Sequence, residues 1–133
     1  MEKVTIIKGF ECEGYVLYSV KSAIHVNYGS RKDFICFDYA NLANQLEISK
    51  QVLDDFVGCD PAYKQALFVN ETAVGRQKLI NADVVKSLLM NMRISNYMKL
   101  SSYDFGKEIK LVNQIIKKVK EESKHGKSKL NIG

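Results

Sequence analysis

Residues 42–57 read LANQLEISKQVLDDFV. Leu42, Ala43 and Leu46 recur at helical spacing. After a break at Glu47-Ile48, Ser49 stands where a helix cap is expected, and Val52, Leu53 and Phe56 resume the same period. The spacing predicts two short helices joined by a tight turn, with Ala43 small enough for close helix contact. That is what a helix-turn-helix requires. Leu42, Leu46, Ile48, Leu53 and Phe56 then bind the pair together, which places Ser49, Lys50 and Gln51 on the exposed start of the second helix. Gln pairs with adenine and Lys with guanine, so base reading is chemically open to them. Two features oppose it. Glu47 occupies the turn position usually given to glycine, and Asp54 and Asp55 repel phosphates if they face a duplex. The plainer alternative is an amphipathic pair that only covers a sheet.

Upstream of this segment the pattern is that of strands. Residues 4–10, 15–20, 23–28 and 34–37 are short runs rich in β-branched and aromatic side chains, separated by turn residues such as Gly14 and Gly29. Strands this close in sequence pair as hairpins. Asp38 caps the first helix of the pair, Gly58 is expected to end the second, and Pro61 restarts the chain. Residues 66–70 and 76–80 predict a second hairpin. Asn81 caps a further helix with Val85, Leu88, Leu89 and Met92 on one face. A last helix is expected to begin near Ser101 or Ser102, with Asp104 favourably set against its amino-terminal dipole. Phe105, Ile109, Val112, Ile116 and Val119 form its heptad-like seam, widened by Leu111 and Ile115. Such a seam packs on the domain or on a twin, so the 104–120 helix offers a homodimer surface.

At 133 residues, with one proline and eight glycines, the chain is long enough for one ordinary domain. The expected organisation is a single α+β domain over residues 1–122 and a basic flexible tail over 123–133. The fold class is α+β: a small antiparallel sheet with the helix-turn-helix-like pair, a second hairpin and two carboxyl-terminal helices.

Charge is unevenly placed. Residues 107–133 hold eight lysines against three glutamates, which accounts for the whole formal charge of +5 and leaves the preceding 106 residues neutral. A neutral globule with a lysine-rich end points to an anionic partner, of which nucleic acid is the commonest. Lys117, Lys118, Lys120, Lys124, Lys127 and Lys129 are the candidate phosphate contacts. No aromatic residue lies in 106–133, so base stacking by that end is not expected; Tyr97 and Tyr103 just before it read as covering residues. The segment also lacks tryptophan and arginine, which weighs against a membrane-surface helix. The first residues have no apolar core of a secretory signal and no apolar run approaches a membrane span, so a cytoplasmic protein is expected.

Enzyme chemistry has little footing here. The nucleotide-binding, nucleophile-elbow and metalloprotease motifs are all missing. Cys12, Cys36 and Cys59 are odd in number and without a C-x-x-C pair, so they read as reduced, mostly buried thiols. His25 and His125 stand at no ligand spacing from them, and neither a metal nor another cofactor is expected. Glu11 and Glu13 are expected to share a strand face near Cys12, where they read as solvated carboxylates.

The order of elements resembles the BRO-N domain of phage antirepressors and virus-encoded DNA-binding proteins. FICFDYANLANQLE (residues 34–47) is similar to that family's strand running into an Asp-started helix, with Asp38, Ala43 and Leu46 at matching positions. LFVNETAVGRQKLI (67–80) is similar to its hairpin, whose turn an Asn-Glu pair opens, here Asn70 and Glu71. The likeness covers residues 22–92. It departs from the family at Glu47 and at Thr72-Ala73-Val74-Gly75, which replaces a tighter Ser-Gly turn. It implies a small DNA-binding regulatory module of a phage or mobile element, with duplex DNA as partner. The alternative is a protein-binding inhibitor or adaptor that blocks a host nucleic-acid-handling protein, which the neutral body and Asp54/Asp55 fit well.

Overall fold

The computed structural model describes residues 1–22, 33–94 and 105–132, with the side chains of Phe105 and of 125–132 left aside. Its strands are β1 (Glu2–Cys12), β2 (Tyr15–Ser22), β3 (Phe34–Asp38), β4 (Leu67–Thr72) and β5 (Gly75–Asn81). Its helices are α1 (Tyr39–Gln45), α2 (Lys50–Gly58), α3 (Pro61–Gln65), α4 (Ala82–Ile94) and α5 (Phe105–Ile132). The strand expected over 23–28 with His25, Tyr97, Tyr103, and the helix start expected at Ser101 or Ser102 lie outside the described residues.

The mixed α+β class is as expected, but the sheet is not a simple open one. The strands close into a small barrel in the order β1-β2-β3-β5-β4. Neighbours are antiparallel except at the seam, where β1 and β4 run parallel and pair Glu2 with Phe68 and Lys3 with Val69. A bulge at Ile6/Lys8 breaks the β1–β2 register, and the bend it imposes on the long first strand helps its start reach β4. Closure gives the strands two apolar faces to bury. Val4, Val20, Cys36 and Leu79 fill the barrel with Ile6, Tyr18, Phe34 and Phe68 packed beside them. Tyr15, Leu17, Ile35, Phe37 and Ile80 point the other way, under the helices. The unbroken run Phe34-Ile35-Cys36-Phe37 is the signature of a strand covered on both sides.

The β1–β2 turn is Glu13-Gly14, both left-handed (φ 54° and 87°), the geometry of a two-residue hairpin turn. Gly14 is needed twice over, since a Cβ there would also lie 2.7 Å from Gln45 Oε1. Asn41 of α1 clasps this turn, its Nδ2 donating to the Gly14 carbonyl (3.0 Å) and its Oδ1 accepting from the Val16 N–H (2.8 Å). Glu13 therefore belongs to the turn and does not share a strand face with Glu11.

The helices start where their caps stand. Asp38 accepts from the Asn41 N–H, Ser49 from Val52, and Asn81 from Asp83. Gly58 does not end α2 by a left-handed cap: the cap is Cys59 at φ −72°, and Pro61 draws Asp60 into extended backbone. Asp60 then caps α3, a five-residue helix with proline in its first turn. Val85, Leu88, Leu89 and Met92 of α4 are buried as its spacing predicts. So is the seam of α5, from Ile109 through Val112, Ile115 and Ile116 to Val119. It packs against α4 and β3 within the chain, so the face offered above for a twin is already covered. The helix of α5 runs on to Ile132, past the Glu122 boundary expected for it.

Candidate nucleic-acid interface

The turn between α1 and α2 adopts the conformation that its sequence makes costly. Glu47 is left-handed at φ 57°. Its N–H donates to the Asn44 carbonyl and that of Ile48 to Ala43, both at 3.1 Å, closing α1 with a Schellman-type cap. Ala43 is buried at the crossing and Ile48 packs on the core beside it, so the apolar contact that accompanies such a cap is present. The chain then re-enters helix at Ser49, whose Oγ accepts from the Val52 N–H at 3.1 Å. Leu53 and Val57 face inward, Val52 and Phe56 are half-buried, and Ser49, Lys50, Gln51, Asp54 and Asp55 are exposed. The expected trio thus stands in solvent, with both aspartates exposed beside it.

Asp54 is tied down. Its Oδ1 accepts from the Tyr39 hydroxyl at 2.5 Å and faces Lys78 Nζ at 3.5 Å, while that ammonium lies 4.2 Å from the centre of the Tyr39 ring. Burial, and then the neighbouring Asp54 carboxylate, push the Tyr39 hydroxyl well above the usual tyrosine range, so it stays a donor. This cluster fastens α1, α2 and β5 together at the mouth of a cavity of about 320 Å³, lined also by Asp38, Lys50, Arg76 and Gln77. Gln77 Nε2 donates to Asp38 Oδ2 (2.8 Å) and to the Tyr18 hydroxyl (3.0 Å), joining the cavity floor to the barrel interior. The pleat of β5 explains the division: Gln77 and Leu79 turn inward, whereas Arg76, Lys78 and Ile80 share the helix side. Arg76 and Lys78 are the members that sequence reasoning missed. Their only early signal is that alternation, which names a face but not its neighbours.

The lysine end lies elsewhere. Lys117, Lys118 and Lys124 are exposed, and Lys120 is half-buried with its Nζ 2.5 Å from Asp83 Oδ1. Lys110, Lys117 and Lys124, seven residues apart, form a line on the solvent side of α5, with about 10 Å between neighbours. Lys127 and Lys129 continue the same helix, their side chains undescribed. Lys120 and Lys124 border a second cavity, of about 520 Å³, with Asp33, Phe34 and Ser19. That cavity opens at the Asp33 end of β3 and the Lys50 cavity at its Asp38 end. The structure therefore does not bring the two expected sets of contacts into one cleft. They flank opposite ends of a strand about 13 Å long.

Of the cysteines, only Cys36 is buried; Cys12 is half-buried and Cys59 exposed, so the expectation of mostly buried thiols holds for one of three. Burial alone pushes the Cys36 thiol up to about 12, which leaves it unreactive at neutral pH. Among the described residues no three His, Cys, Asp or Glu side chains converge as a metal site, and no helix is long and apolar enough to cross a membrane. Comparison with protein-family models, curated proteins and solved structures finds no match to this chain.

Proposed function

We propose that this protein is a small DNA-binding regulator of the antirepressor type, encoded by a phage or mobile element, that presents the first turn of α2 to duplex DNA. The observation that carries this reading is the Glu47 turn, which leaves Ser49, Lys50 and Gln51 in solvent on a helix whose opposite face is buried. Lys50 and Gln51 then meet base edges, and Ser49 keeps the first turn in shape. The lysine line of α5 adds phosphate contacts without sequence preference. Pairing of Asp54 with Tyr39 and Lys78 moderates its repulsion of phosphate.

The test is duplex binding by the full chain at low and moderate salt, against a panel of sequences. Replacing Lys50 and Gln51 together by alanine is expected to compress the spread of affinities across the panel more than it lowers mean affinity. Each lost bidentate base contact removes about 1–3 kcal/mol of discrimination. Unchanged discrimination would make the helix pair purely structural.

One observation favours the second reading, a protein-binding inhibitor or adaptor: Asp54 and Asp55 stand on the same exposed face as Lys50 and Gln51. Under that reading the chain shows no salt-dependent duplex binding, and removing both carboxylates weakens a protein complex instead.

A further inference from the structure

Arg76 stands one residue from the turn of the β4–β5 hairpin, with Lys78 two residues further along β5, and both line the 320 Å³ cavity together with Lys50 of α2. We propose that this hairpin is a second arm of the interface, in which Arg76 holds the sugar–phosphate backbone of the duplex strand whose base edges Lys50 and Gln51 meet. The inference rests on the proposed function and adds to it a backbone-holding element that the helix pair alone does not supply.

Charge accounting within the cavity favours a polyanion. The two carboxylates on its walls are already engaged by protein donors. Asp38 accepts from the Asn41 N–H (3.0 Å) and from Gln77 Nε2 (2.8 Å), and Asp54 from the Tyr39 hydroxyl and Lys78. Lys78 is itself committed to Asp54 and to the Tyr39 ring. Three cations, Lys50, Arg76 and Lys78, then line the cavity against Asp38 and Asp54, an excess of one positive charge, and two of the three are open to a ligand. Lys50 is exposed and makes no ion pair among the described residues. Arg76, with its side chain 77% exposed, has Glu71 at 3.7 Å. A surface pair of that kind is worth less than about 1 kcal/mol, so exchange of Glu71 for a phosphate is cheap. The guanidinium fork is also matched to phosphate oxygens. Because Lys78 already ties β5 to α2, the two walls need no ordering when the strand enters.

The experiment measures the affinity of the full chain for a short mixed-sequence duplex across a range of salt concentrations. Arg76→Gln, Arg76→Lys, Lys50→Gln and, as a control on the exposed side of α4, Lys86→Gln are compared with the unaltered chain. Each phosphate contact contributes about 0.9 to the steepness of log K against log salt. Arg76→Gln is expected to flatten the slope by about that amount and Lys50→Gln to lower affinity, whereas Arg76→Lys and Lys86→Gln keep the slope. A slope unmoved by Arg76→Gln, in a chain whose affinity still falls with Lys50→Gln, overturns the hairpin arm and leaves the proposed function standing. Loss of slope in Arg76→Lys as well assigns Arg76 a structural role and also overturns the proposal. An unaltered chain that does not bind duplex DNA overturns both.

Discussion

Glu47 is the residue on which the helix pair turns, and it does so in a conformation that costs an L side chain about 1–2 kcal/mol. Its charge is exposed and makes no ion pair among the described residues, so nothing shown there offsets the strain. Glycine removes the strain but widens the conformational freedom of the unfolded chain, which takes back roughly 0.5–1 kcal/mol. Glu47→Gly is therefore expected to raise stability by about 0.5–1 kcal/mol in urea unfolding, and Glu47→Val, with its branched Cβ, to lower it. A destabilised glycine variant would mean that the Glu47 side chain makes a favourable contact in solution. A glutamate at a strained turn is the kind of local inconsistency that gathers at functional positions.

At the scale of elements, the Tyr39 cluster decides whether α1, α2 and the second hairpin behave as one body. Tyr39→Phe deletes the hydroxyl that donates to Asp54. Asp54 is about half exposed, so water replaces part of the bond, and a loss of about 1 kcal/mol at neutral pH is expected. The sign of the pH dependence follows from the raised tyrosine. Stability from the neutral hydroxyl is complete below the ordinary tyrosine range near 10 and declines above it, as unfolded Tyr39 ionises while folded Tyr39 does not. The gap between the two proteins in urea unfolding should thus narrow from pH 7 to pH 10.5. A constant gap would mean that the folded chain does not hold the Tyr39 hydroxyl above its ordinary range.

What the sequence reveals and what it hides divide along the same scale. Helices α1, α2 and α4 are legible because each cap and its apolar stripe lie within a few residues of one another, as Asp38, Ser49 and Asn81 show. The five-residue α3 carries too little period to declare itself beyond Asp60-Pro61. The barrel is hidden because its closure joins residues 2–3 to 68–69, a pairing with no local mark. The site divides likewise. Exposure of Ser49, Lys50 and Gln51 follows from helical spacing, whereas Arg76 and Lys78 reach Lys50 only through the tertiary fold.

For the whole molecule, the decisive arrangement is two cationic regions set at opposite ends of β3, one on the helix pair and hairpin, the other on α5. Among the described residues of α5 the buried seam runs to Val119, and Ser123 Oγ, 3.4 Å from Ser19 Oγ, adds a contact just beyond it. Truncation after Lys124 should therefore leave the melting temperature unchanged while removing Lys127 and Lys129. If both lysines meet phosphates, the salt slope of duplex binding flattens by about 1.8, twice the contribution of one contact. Discrimination among sequences, which the proposed function assigns to Lys50 and Gln51, should survive intact. Loss of discrimination on truncation would mean that the two regions act on one another, through the β3 strand they flank or through a duplex bent to meet both. An unchanged slope would make the lysines of the last turns a solubilising surface and leave binding to the α2 end alone.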